Sequence, residues 1–245
     1  MSIRKIPFIV GEYYHIYNRG VDKRIIFTDD HDYKRFRVLL YLCNSSNSLD
    51  MRTLFNKGLS FAEFFSVDMG EQLVDIGAYC LMPNHVHLIV VPESEESLAK
   101  GIGEAHRRYT RHINFKKSWK GYLWQGRFAS FPMDEDYLLA ACRYVELNPV
   151  RAKMCTRPEE YRWSSATAHL TREDDMLVKV KPMLERVSNW EELLASGDQK
   201  LFDDVRMHER TGRPLGGESF MERVSSLVGR ELGKQKPGPK RKDGS

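Results

Sequence analysis

The chain of 245 residues lacks any apolar run approaching the roughly 18 residues that a membrane-spanning helix requires. Its first apolar stretch, Ile6 to Val10, is short and interrupted by Pro7, which argues against the core of a secretory signal. A cytoplasmic protein with no membrane partner is expected. Cysteine is scarce: Cys43, Cys80, Cys142 and Cys155 show no Cys-x-x-Cys spacing, which argues against a disulfide framework and a zinc cage. Charge of one sign is also lacking, since 38 basic residues meet 34 acidic ones for a net +4. With 41% hydrophobic and 29% charged residues, the chain has material for one substantial core, alone or with a smaller appended unit.

That near balance conceals local excess. Between Gly101 and Ser130, seven basic residues (Arg107, Arg108, Arg111, Lys116, Lys117, Lys120 and Arg127) face one acid, Glu104. The last sixteen residues carry six more, Lys240, Arg241 and Lys242 among them, against Glu231 and Asp243. The remainder is therefore net acidic. Basic patches on a nearly neutral protein point to a polyanion held at particular places.

One stretch carries chemistry of its own. A turn at Pro83-Asn84 runs into His85-Val86-His87-Leu88-Ile89-Val90-Val91, with no breaker before Pro92, so a strand is expected. Residues two apart on a strand share a face, which places His85 and His87 side by side and Val86, Leu88 and Val90 opposite. Two such imidazoles suit a shared divalent metal; they suit equally a hydrogen-bonded pair in a half-buried sheet. Cys80 would add a third zinc ligand, but no fourth is evident.

The flanking elements give this strand a setting. Aromatic Tyr13 to Tyr17 reads as a first strand, and Thr28 as the N-cap of a helix reaching about Cys43. An insertion with a short helix near Phe61 to Phe65 precedes a strand from Leu73 to Leu81. A helix from about Leu98 to Asn114 follows the histidines, with Ile102, Ala105, Tyr109 and Ile113 on one stripe, and Tyr122 to Phe128 reads as a strand-like return. This order predicts an α+β, ferredoxin-like (RRM-like) antiparallel sheet with helices on one face. A helix from Asp134 to Leu147 is stopped by Asn148-Pro149. Beyond about Glu173 the pattern becomes helical, and helix, Gly-containing turn, helix near 199–227 fits a helix-turn-helix or a packed αα-hairpin. The expected organisation is a unit over 1–172 that carries the histidine strand, a helical extension over 173–232 that includes the candidate helix-turn-helix, and a basic tail over 233–245.

Several motifs occur together in order: Met82-Pro83-Asn84-His85-Val86-His87-Leu88; Arg108-Tyr109 with Asn114; Leu123-Trp124-Gln125-Gly126-Arg127-Phe128; Tyr144-Val145-Glu146-Leu147-Asn148-Pro149-Val150-Arg151-Ala152; and Tyr161-Arg162-Trp163-Ser164-Ser165. In these the chain closely resembles the REP-associated tyrosine transposases, relatives of the insertion-sequence transposases with one tyrosine and a His-hydrophobic-His pair. The resemblance covers roughly Gly11 to His169. It implies cleavage and rejoining of single-stranded DNA beside a hairpin through a 5′-phosphotyrosyl intermediate, with Mg²⁺ or Mn²⁺ on His85 and His87. It matches Tyr109 to the nucleophile, although from the residues alone Tyr109 reads as a core aromatic. Relatives use a polar third ligand one turn after the tyrosine; Ile113 stands there, which leaves Asn114 or His112 as the substitute.

The resemblance further implies a hairpin DNA partner, contacts from Asn18, Arg19, Arg24, Arg107, Arg108, Arg111, Lys116, Lys117, Arg127, Lys240, Arg241 and Lys242, and a nucleoid-associated protein of a prokaryote. A monomer is expected, with a homodimer as the alternative. Two rivals stand beside this reading. A histidine-triad hydrolase needs a third histidine where Ile89 lies. A non-catalytic single-stranded nucleic-acid-binding module of the same fold needs exposed aromatics where the histidines lie.

Overall fold

The computed structural model describes residues 8–47, 49–196, 199–211 and 213–229. The basic tail, with Lys240, Arg241 and Lys242, lies outside the described residues. The first half of the chain folds as β1 (Tyr13–Arg19), α1 (Asp30–Cys43), α2 (Met51–Asn56), β2 (Val74–Met82), β3 (His85–Pro92), α3 (Glu104–Lys117), β4 (Ala129–Met133) and α4 (Glu135–Glu146). The strands form one antiparallel sheet in the order β2-β3-β1-β4. This is the ferredoxin-like arrangement that the alternation of strands and helices predicts.

Local chemistry explains most of the boundaries. Asp29, not Thr28, caps α1: its side chain accepts from the Asp32 backbone N–H, while the Thr28 hydroxyl donates to the Asp32 carboxylate at 2.7 Å. The insertion forms its helix earlier than expected, at α2, and Glu63–Ser66 is only a 3₁₀ turn. The stretch expected as the fourth strand, Tyr122 to Phe128, is instead a loop anchored by buried Leu123 and Trp124, with a single bridge between Trp124 and Gly20. Ladder pairing with β1 begins at Ala129.

The two faces of the sheet have different occupants. Tyr14, Ile16, Val86, Leu88 and Val90 point one way and are fully buried. On that face Arg37 of α1 stacks over Tyr79, the cross-strand partner of Leu88, and Phe36 of α1 meets Tyr109 of α3 at 5.0 Å between rings. Both crossover helices lie on one face because β1–α1–β2 and β3–α3–β4 each return parallel past an intervening strand, and such connections share one hand. The opposite face carries His15, Tyr17 and Arg19 of β1, with Tyr17 beside His87 and Arg19 beside His85. That face is not open: α4 covers it, burying Leu138, Ala141, Cys142 and Val145.

The remaining helices are α5 (Asn148–Arg151), α6 (Ala166–Thr171), α7 (Lys181–Leu184), α8 (Trp190–Ala195), α9 (Gln199–Thr211) and α10 (Glu218–Val228). The extension shares the main core. Val178 pairs with Ile76 and Leu215 with Met133, while Trp190, Phe202 and Val205 are buried in the same cluster. Helix α9 packs along α4, so its inward side faces the histidine side of the sheet.

Candidate metal and tyrosine site

The two histidines of β3 project onto the α4 side with ring centroids 4.9 Å apart. His87 is nearly inaccessible and engaged at both nitrogens: Nδ1 lies 2.9 Å from His15 Nε2, and Nε2 lies 3.0 Å from the Asn148 side-chain amide. His85 Nδ1 is 2.6 Å from Asn84 Oδ1. Burial lowers the pKa of all three imidazoles, His85 to about 4, His15 to about 3 and His87 well below its ordinary value, with neighbouring positive charge adding to the effect. They are therefore neutral near pH 7, the form in which imidazole binds a metal.

Helix α4 completes the constellation. Tyr144 lies in its last turn and Asn148 opens α5 directly after it, so that both side chains reach His87. The Tyr144 ring stands edge-on to His87 at 5.9 Å and to His15 at 6.1 Å. Its hydroxyl donates to Glu209 Oε2 at 3.1 Å, and the Arg151 guanidinium lies 4.9 Å from the ring centroid. Burial raises the Tyr144 pKa, while Arg151 pulls it back down. Glu209 comes from α9; burial pushes it up to about 7 against the pull of Tyr144, Arg19, Arg151 and Arg206. Its other oxygen lies 3.3 Å from His87 Nδ1 and has no hydrogen-bond partner. These groups surround a cavity of about 510 Å³ whose lining includes Arg19, Arg151 and Arg206.

Such a donor set fits a divalent cation. His85 and His87 supply imidazole nitrogen, and the Asn148 amide, turned about its last torsion, presents oxygen where nitrogen is placed. The unpartnered Glu209 oxygen adds negative charge, and ligand atoms of His15, His87 and Glu209 lie within 4.8 Å of one another. Nitrogen, amide oxygen and carboxylate together match Mg²⁺ or Mn²⁺ chemistry better than a thiolate cage does.

The other expected residues lie elsewhere. Tyr109 sits fully buried on the opposite side of the sheet, among Phe27, Phe36 and Trp124, and its hydroxyl donates to the Ile26 carbonyl at 2.7 Å. The physical reason is the pleat: β3 sends His85 and His87 to one face and Val86, Leu88 and Val90 to the other, and α3 packs on the latter. Asn114 donates its amide to the Gly121 carbonyl, and His112 lines a separate cavity, so neither approaches the histidines.

The expected DNA contacts divide similarly. Arg19 lines the site cavity. Asn18 is buried, with its amide toward the Gly126 carbonyl, and Arg24 stacks on Trp119. Arg107 and Arg108 share Glu104, and Lys116 bridges Asp29 and Asp32. Arg111, Lys117 and Arg127 are exposed. Sequence reasoning missed Tyr144, Asn148, His15 and Glu209. The first two carried a signal, tyrosine and asparagine one helical turn apart just before a helix-ending proline, whereas His15 and Glu209 carried none.

Comparison with known proteins places the chain in a family. The family model described as "Transposase IS200 like" matches residues 12–148, a span that runs from the start of β1 to Asn148. A solved structure, "Structure of the REP associates tyrosine transposase bound to a REP hairpin", is similar with 16% identity and a TM-score of 0.49, covering 72% of this chain and 90% of that one. No curated protein matches. With more than half of its length matched, this chain belongs to the IS200-like transposase family.

Proposed function

We propose that the protein cleaves and rejoins single-stranded DNA beside hairpins of the repetitive extragenic palindrome type, using Tyr144 as nucleophile and a divalent metal held by His85, His87 and Asn148. The observation that carries this reading is the meeting of Tyr144 and Asn148, from one helix end, with both histidines in a cavity lined by three arginines. The hairpin substrate follows the sequence resemblance to REP-associated tyrosine transposases. Every group is supplied by one chain, which favours action as a monomer.

In the reaction the Tyr144 oxygen forms a bond to the scissile phosphorus and the bond from phosphorus to the 3′ oxygen breaks. The electron pair leaves with that oxygen, which takes a proton from water to become a free 3′-hydroxyl, and the phosphate stays as a 5′-phosphotyrosine. The energy of the phosphodiester is kept in the new linkage, so attack by a 3′-hydroxyl reverses the step and joins strands. Phenol is a weak nucleophile at neutral pH, with an ordinary pKa near 10. Glu209 Oε2 accepts its hydrogen bond and is placed to receive the proton. Arg19, Arg151 and Arg206 bind non-bridging phosphate oxygens, and His15 orients the His87 ring through Nδ1. A bound Mg²⁺ or Mn²⁺ supplies Lewis acidity toward the phosphate and the leaving oxygen.

The test is an end-labelled hairpin oligonucleotide with unpaired flanks, incubated with Mn²⁺ and run on a denaturing gel. The wild type and Tyr109→Phe should each form a covalent adduct, and Tyr144→Phe should form none. An adduct on Tyr144→Phe would remove the nucleophile assignment; cleavage undiminished by EDTA would remove the metal.

A further inference from the structure

The cavity on the far side of the sheet has chemistry that the catalytic reading leaves unused. It measures about 730 Å³, against about 510 Å³ for the tyrosine site, and lies between α1, α2 and α3. Buried Leu39 and Met51 form its apolar floor. Arg35 and His112 stand in its wall, and the inner nitrogens of both, Arg35 Nε and His112 Nε2, are buried without a hydrogen-bond partner. Arg35 Nε is always a donor, and a buried donor left unsatisfied costs on the order of 1–3 kcal/mol and marks a place where an acceptor is missing. Arg52 and Arg111 are exposed on the lining, and the acid there, Asp50, is engaged in capping α2. Phe115 borders the same cavity and is 89% exposed, the most exposed aromatic among the described residues.

We infer that this cavity is a second nucleic-acid site, which holds an unpaired segment of the strand with phosphate at Arg35, Arg52 and Arg111 and a base stacked on Phe115. Guanidinium groups interleaved with an exposed aromatic form the surface that binds single strands, charge tracking the backbone and the ring accepting any base. The volume lies in the range of small-ligand clefts, which suits a nucleotide unit and excludes a duplex. Its placement behind the sheet means that the strand is gripped remotely from the point of cleavage. That separates binding from chemistry: the two cavities are lined by different residues. The inference rests on the proposed single-stranded DNA substrate and assigns it a further contact.

Fluorescence anisotropy with a labelled short oligodeoxythymidylate tests this, using the full chain over a range of salt concentrations. Arg52, Arg111 and Phe115 are exposed, so their replacement leaves the core alone. Arg52→Glu with Arg111→Glu should weaken binding at least tenfold and flatten the slope of log K against log salt by about 1.4, the release expected for two phosphates on a single strand. Phe115→Ala should weaken binding about five- to a hundredfold, with the salt slope unchanged. The catalytic reading is checked separately, with the hairpin oligonucleotide and Mn²⁺, where Tyr144→Phe should form no adduct. An adduct that survives in Tyr144→Phe counts against the catalytic assignment and leaves this result standing. Wild-type affinity and salt slope in the double arginine variant would overturn the site. Full affinity in Phe115→Ala would overturn the assignment to nucleic acid in favour of a generic polyanion.

Discussion

Helix α4 ends at the histidine-lined cavity and runs straight into α5, so whatever fixes its last turn fixes Tyr144 and positions Asn148. The fixing group is Glu146, which lies between them in sequence and has no exposed surface. Its Oε1 accepts from Ser165 Oγ at 2.6 Å and pairs with His169 Nδ1 at 2.6 Å, and its Oε2 accepts from Trp190 Nε1 at 2.8 Å. The His169 ring stacks on Trp190 with 4.0 Å between centroids, so one carboxylate ties α4 to α6 and α8. Replacing Glu146 by Ala leaves the buried His169 and Trp190 nitrogens without this partner, while Ser165 Oγ keeps the Tyr79 carbonyl at 3.3 Å. A hydrogen bond to a charged group is worth about 1.5–3 kcal/mol. Contributions within one network do not add strictly, and the loss of two such bonds sets the expected cost of Glu146→Ala at about 3–6 kcal/mol. Glu146→Gln keeps the shape but cannot serve all three donors, and should cost about 1–3 kcal/mol. Urea denaturation of metal-free protein measures both, with the midpoint falling and the slope m unchanged. In the adduct assay Glu146→Gln should also react more slowly than wild type, although Glu146 does not line the cavity of the histidines. A Glu146→Ala protein within about 0.5 kcal/mol of wild type would refute the reasoning, because surface changes alone produce effects that small.

Tyr109→Phe should retain adduct formation but lose about 1–3 kcal/mol of stability, since it leaves the Ile26 carbonyl without its buried donor; a calorimetric midpoint unchanged from wild type would contradict this. Acid should destabilise the metal-free protein. His106 is buried with its pKa lowered to about 4, and an unfolded histidine has a pKa near 6.5, so between those values the unfolded chain binds more protons and stability falls as pH falls. The loss from His106 alone is of the order of 3 kcal/mol by pH 4, and a urea midpoint that is flat from neutral pH downward would count against it. Mn²⁺ at a hundred times its dissociation constant should stabilise the fold by about 2.7 kcal/mol, read as a raised thermal midpoint. His87→Ala should abolish that rise, and a rise of the same size in the variant would place the ion elsewhere.

How far the chain could be read before folding differs from element to element. The histidine strand was legible because a period of two is a property of the backbone, and so was the alternation of strands and helices that yields the sheet. The fourth strand was misplaced because Leu123 and Trp124 look strand-like, yet they bury themselves as loop anchors beside β1. Tyr109 was matched to the nucleophile by the resemblance and not by its own residues. Its stripe with Ile102, Ala105 and Ile113 is apolar and does face the sheet, and the residues alone pointed to a core aromatic. Which side of the sheet that helix takes is a matter of crossover hand and strand order.

The sequence by itself determined that His85 and His87 share a face and that α3 buries the stripe containing Tyr109, because both follow from local periodicity. Only the tertiary structure decided which helix meets the histidines. It also brought in His15, 72 residues from His87, and Glu209 from the extension, to within hydrogen-bonding or ion-pair distance of the same ring. Contacts of that sequence separation are set by strand order, handedness and the docking of α9 on α4, none of which any local pattern encodes.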